Sequence, residues 1–227
     1  MARARTPGYF GKLAGAGDFV QRRLPPAFVD AWDRGFSRAI AESRDLLGAD
    51  WGAAYRASPA WRFLLSPGIC GAGAWGGVVG PATDRVGRCF PMAIAAPLEA
   101  DAPGLLYDGE RWFEAAERTL RDAHDRRLGA DGFDQRVAAL ALPPDPDAPT
   151  LPALPAGIDR ARRDYWLPLP ARAGLPRALW SHLAPAGCAL WWSARAGRLR
   201  VGRGLPAAET YAGFLAAPAM AAAGGAA

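Results

Sequence analysis

The run WRFLLSPGICGAGAWGGVVGPATDRVGRCFPMAIAA fills residues 61–96 and reads as three strands in close succession. Trp61–Leu65 alternates large apolar residues, and Ser66-Pro67-Gly68 ends it in a turn. Trp75–Val79 is the second strand. Phe90–Ala96 is the third, almost continuously apolar and so expected to be covered on both faces. Pro91 lacks the amide hydrogen a sheet ladder needs and fits only at the start of that strand or at a bulge. Strands grouped with short turns, instead of alternating singly with helices, point to an α+β fold with a largely antiparallel sheet flanked by amphipathic helices.

On the N-terminal side, Gly8–Leu13 reads as a short first strand and Ala14–Gly17 as a glycine-rich turn. Pro25 and Pro26 open the clearest helix, in which Phe28, Trp32, Phe36, Ile40 and Leu47 recur at near-helical spacing before Gly48 supplies a stop. On the C-terminal side, Glu110–Leu128 is a second amphipathic helix. Its apolar arc holds Phe113, Ala116, Leu120, His124 and Leu128, which makes His124 a core residue; Phe133–Leu142 is a shorter helix. Six prolines between Pro143 and Pro155 forbid regular structure. Cys188–Ser193 and Leu199–Val201 form a hairpin too small to stand alone, expected to join the first sheet or pack on it, and a helix near Ala207–Leu215 closes the fold. The expected organisation is a single domain over residues 1–227, with a core at 8–142, a proline-rich loop at 143–157, and a C-terminal hairpin and helix at 187–217.

The 227 residues carry 27 Lys plus Arg against 22 Asp plus Glu, a net charge of +5, and 9 Trp. Many aromatics at low net charge mark a chain that folds. Every basic residue except Lys12 is an arginine, and the arginines interleave with acids, as in Glu117-Arg118, where a nucleic-acid surface would cluster them. No uncharged stretch reaches the roughly 18 to 20 strongly apolar residues that cross a bilayer, and no leucine-rich stretch follows Arg3 and Arg5, so neither a membrane partner nor an export signal is expected. Cys70, Cys89 and Cys188 are odd in number and widely spaced, which suits a reducing compartment better than a disulfide framework or a zinc site. The expected location is the cytoplasm.

Catalytic patterns fall short one by one. Gly71-Ala72-Gly73-Ala74-Trp75-Gly76 spells G-x-G-x-x-G, but it continues as strand and turn where a dinucleotide fingerprint opens a helix. The lone lysine precedes Leu13, not the Ser or Thr of a phosphate-binding loop. His182 follows Ser181 directly, and adjacent helical residues point about 100° apart, too divergent for a nucleophile and its base. Asp145-Pro146-Asp147 lacks the Gly and Glu of a calcium loop. No catalytic residue, metal, cofactor or small-molecule substrate is expected.

Two stretches remain, GKLAGAGDFVQRRLP at 11–25 and PATDRVGRCFP at 81–91. Each sets Asp beside cationic residues in a glycine-containing loop next to a strand, where backbone is held and side chains project. Gly17, Asp18, Phe19, Arg22, Asp84, Arg85 and Arg88 are therefore the candidate partner-binding residues. The same acids can instead bridge the loops through the arginines, because Arg–carboxylate pairing serves either purpose. A hydrolase using Asp18, Asp84, Arg85 and Arg88 is the alternative, and it requires these groups to converge in a concave pocket with perturbed pKa values.

With Phe28, Trp32-Asp33, Ser43-Arg44, Leu47-Gly48, Trp51, Tyr55, Ser58-Pro59, Trp61-Arg62-Phe63, Trp75, GCALWW at 187–192 and GLP at 204–206, these stretches make the chain resemble the TagF family of type VI secretion accessory proteins. The likeness is dense from Gly8 to Pro97, absent from the proline-rich middle, and resumes near Gly187. Ala14 and Ala82 stand where the family usually has Pro and Ser, and Phe36 where Trp is common. The resemblance implies a cytoplasmic, non-catalytic regulator that restrains secretion after translation. It would act through a forkhead-associated scaffold protein, in parallel with a threonine kinase and phosphatase pathway. The phosphatase domain fused to some relatives is not expected, since its paired Asp-Gly metal motifs are missing.

Overall fold

Successive side chains of a strand point to opposite faces of a sheet, and Trp61–Leu65 uses both. A computed structural model, which describes residues 6–98, 109–140, 165–169, 179–180 and 187–223, places this segment inside an eight-stranded antiparallel sheet. The strands are β1 (Gly8–Gly11), β2 (Val20–Arg22), β3 (Trp61–Leu65), β4 (Ala74–Gly80), β5 (Met92–Leu98), β6 (Tyr165–Pro168), β7 (Cys188–Ser193) and β8 (Arg198–Arg203). Their spatial order is β2-β1-β5-β4-β3-β7-β8-β6. β5 starts just past Pro91, so the missing amide removes no ladder bond. β7 pairs with β3, Phe63 opposite Trp191 and Leu64 opposite Leu190, which makes the C-terminal hairpin a continuation of the first sheet.

Helices α1 (Pro26–Leu47), α2 (Trp51–Ala57), α3 (Gly109–Asp125), α4 (Ala130–Ala138) and α5 (Ala208–Ala223) cover both faces. Trp61, Phe63, Leu65 and Trp191 pack with Phe28, Trp32 and Phe36 of α1 and Phe214 of α5. On the other face, Leu64, Val78, Ile94 and Trp192 pack with Trp112 and Phe113 of α3 and Phe133 of α4. α1 follows its apolar period. Pro26 stands where a helix has no amide partner to lose, and Gly48 ends the helix at φ 55°. Gly77 lies opposite Phe63, and a Cβ there would come within 2.6 Å of the Phe63 ring, so glycine is what lets that ring cross the neighbouring strand.

The structure departs from expectation in specific places. β2, α2 and β6 have no counterpart in the sequence reading. α3 stops at Asp125, α4 spans Ala130–Ala138, and α5 continues to Ala223. His124 is not a core residue: it is exposed, because the buried stripe of α3 runs through Trp112, Phe113, Ala116, Thr119 and Ala123. Thr119 can lie in that stripe because its hydroxyl donates to the Ala115 carbonyl at 2.9 Å, which satisfies the polar group. The proline-rich loop at 143–157, Asp145, Asp147, Ser181 and His182 lie outside the described residues. Among those described, no helix is long and apolar enough to cross a membrane.

Candidate functional site

The chain leaves β1 through Gly11, at φ 148°, where a Cβ would overlap the Pro91 carbonyl. That close passage carries Lys12 beneath the loop at 81–91. Lys12 Nζ donates to Asp84 Oδ2 at 2.9 Å, and Arg88 Nε donates to the same oxygen at 2.6 Å. Asp84 Oδ1 accepts the backbone amides of Val86 and Arg88 at 3.1 and 2.9 Å. Arg88 Nη2 then reaches the Gly17 carbonyl at 2.8 Å, while the Arg85 amide donates to the Ala16 carbonyl at 2.8 Å. The two loops singled out in the sequence are thus fastened together around one buried carboxylate, with Asp84 2% and Lys12 7% exposed.

Burial alone would push the Asp84 carboxyl up. The hydrogen bonds from Lys12 and Arg88, with the Lys12 charge, outweigh it and hold the group well below the usual carboxylate range. A group depressed in this way stabilises the fold above the unfolded carboxylate value, near about 4, and that stabilisation is lost as pH falls through the lower folded value. Asp84→Asn should therefore be less stable than wild type at neutral pH, with the gap closing as pH drops from about 4 toward about 2. Thermal melts across that range check it, and a gap independent of pH would refute the assignment.

The remaining candidates project from this frame. Asp18 is exposed, and its Oδ1 accepts the Phe19 amide at 2.8 Å, closing the turn. Phe19 is 42% exposed, with its ring stacked on Phe10 at 5.3 Å and edge-on to Phe90 at 4.8 Å. Val86, at the tip of the second loop, is 70% exposed beside the exposed Arg85. Arg22 leans elsewhere, 4.0 Å from the exposed Asp131 of α4. Both Asp84 oxygens are engaged from within the protein, so this carboxylate presents no open oxygen to a hydrolase substrate.

Two contributors escaped the sequence reading. Tyr55 of α2 grips Ala82 from below, its hydroxyl donating to the Ala82 carbonyl at 2.8 Å and accepting the Ala82 amide at 3.0 Å. Burial pushes the Tyr55 hydroxyl well above its ordinary pKa, so it stays a donor. Lys12 is the other, and its signal was its singularity. A compact point charge in an otherwise all-arginine chain suits a small covered site that a guanidinium fork would overfill. The glycines at 71–73 lead into β4 and Gly76 lies within it, so the G-x-G-x-x-G letters meet no helix N-terminus. Among the described residues, no three His, Cys, Asp or Glu side chains gather as a metal site would require.

Residues 8–140 match the family model of the TagF N-terminal domain, type VI secretion system-associated. A crystal structure of PA0076 from Pseudomonas aeruginosa PAO1 is similar at 38% identity, covering 92% of this chain and 93% of that one, with a TM-score of 0.68. None of the curated proteins compared matches the chain.

Proposed function

From the premise that the chain belongs to the TagF N-terminal domain family of type VI secretion system-associated proteins, we propose that it restrains secretion in the cytoplasm by docking on a forkhead-associated scaffold protein, without catalysis. The fastened loop pair supports this reading. The Asp84 network holds Asp18, Phe19, Arg85 and Val86 outward on a frame set before any partner arrives, which removes the ordering cost that weakens association. An exposed ring and an exposed aliphatic tip flanked by guanidinium groups provide an apolar anchor with a charged rim. Gly17 supplies the carbonyl that ties down Arg88, and Arg22 leans from β2 toward Asp131 of α4, to one side of these tips. Asp84, being buried, serves this surface by positioning it.

Purified scaffold protein should bind the wild-type chain, and Val86→Asp or Arg85→Glu should each weaken binding about tenfold or more without lowering Tm, since both side chains are exposed. In cells, deleting the gene should raise secretion with the kinase pathway intact. Full binding by both variants would remove this surface from the proposal, and unchanged or lower secretion would remove the restraining role.

A further inference from the structure

Between α2, α3 and the β7–β8 turn lies a cleft of about 320 Å³, within the size range of small-ligand sites. Several of its polar side chains are already engaged. The Tyr55 hydroxyl is committed to Ala82, and Ser58 Oγ to the Pro59 and Phe214 carbonyls. Ser193 Oγ accepts the Ala196 amide, and Glu117 is held by Arg62. Three cations line the same cleft. Arg56 from α2, Arg121 from α3 and Arg195 from the β7–β8 turn are all exposed, and none makes an ion pair with another described residue. Even Asp125, one turn along α3 from Arg121, is left unpaired by it. His124, turned out of the core by the stripe through Thr119, lines the same space, and Leu120 and Pro81 give it an apolar wall.

Three guanidinium groups outnumber Asp125, the carboxylate in the cleft that Arg62 does not hold, so the mouth keeps a net positive charge that draws an anion. Three guanidinium forks from three separate elements suit a group with acceptors on several sides, which a phosphoryl group has and a single planar carboxylate lacks. We propose that this cleft binds a small organic phosphomonoester, its phosphoryl group among Arg56, Arg121 and Arg195 and its apolar body against Leu120 and Pro81. The proposal stands independently of the docking surface, whose exposed residues do not line the cleft.

Calorimetric titration of the full chain with phenyl phosphate at low salt tests it, with inorganic phosphate and phenol in parallel. Phenyl phosphate should saturate one site, inorganic phosphate should bind more weakly, and phenol should not bind. Arg121→Gln and Arg195→Gln should each raise Kd about tenfold with Tm unchanged. Arg118→Gln, exposed on the same helix and paired with Glu114 outside the cleft, should leave Kd as it was. The proposal is overturned by an absence of saturation, by phenol binding equally well, by a double Arg121→Gln, Arg195→Gln variant with wild-type affinity, or by an equal loss in Arg118→Gln.

Discussion

Arg62→Ala should cost this chain about 3–5 kcal/mol of stability, the range for removing one member of a buried ion pair and stranding the other. Arg62 lies on β3 with its side chain 3% exposed, under α3. Its Nε donates to Glu117 at 2.7 Å and its Nη1 to Glu110 at 2.6 Å, with the guanidinium 5.4 Å from the Phe113 ring centre. Burial pulls its pKa down, but the hydrogen bonds and charges of the two glutamates more than reverse that, so it remains a cation. The partners differ in what their loss means. Glu110 is 66% exposed and water can replace its contact, so Glu110→Gln should cost under about 1 kcal/mol. Glu117 is only 16% exposed, and Glu117→Ala should approach the cost of losing Arg62 itself. Replacing both by leucine should recover most of the loss, because Arg62 sits opposite Trp192 and Val78, where an apolar residue packs. Urea unfolding, read as a midpoint shift at constant m, measures all four variants. A cost below about 1 kcal/mol for Arg62→Ala would show that water already reaches the pair.

Trp191→Ala should be comparably damaging, at about 3–5 kcal/mol, the usual range for truncating a buried aromatic. The residue is 1% exposed, and its ring lies 5.3 Å from Phe63, 5.6 Å from Phe214, 6.2 Å from Trp32 and 6.3 Å from Phe36, centre to centre. One side chain of the C-terminal hairpin therefore touches α1, β3 and α5 together. Its removal should lower Tm for the whole chain by roughly 10 °C, in one cooperative transition. Trp191→Phe keeps a ring in the cluster and should lose less. Calorimetry decides the matter: a hairpin that melts separately while the rest keeps its Tm would mean the two ends of the chain do not share a core.

Much of the architecture was legible because it depends on local period. WRFLL, WGGVV and CALWWS read as strands, and the Phe28-Trp32-Phe36-Ile40 spacing reads as a helix, since alternation by two and recurrence near 3.6 are properties of the backbone itself. β2 was invisible for the same reason: it is three residues long, with Gln21 and Arg22 exposed, too short to show any alternation. α2 makes only two turns, and Trp51 stacked on Tyr55 at 4.9 Å is a packing signal that becomes readable once the sheet beneath it exists. His124 was misplaced because a helical wheel cannot show that Thr119 satisfies its own hydroxyl and enters the buried stripe.

By itself, then, the amino-acid order determined the kind and approximate extent of the main elements, the α+β class, and the pair of loops that carry Asp among cations. Which way those loops face was decided by tertiary structure alone. Asp18 and Asp84 sit in similar glycine-containing loops, yet one is exposed and the other is closed over by Lys12, 72 residues earlier in the chain. Arg56, Arg121 and Arg195 likewise share a cleft only because α2, α3 and the β7–β8 turn meet at one place on the fold. Periodicity records what a segment does with its own backbone. An ion pair or a cleft depends on which segments strand order and helix packing bring together, and that meeting leaves no trace in any local pattern.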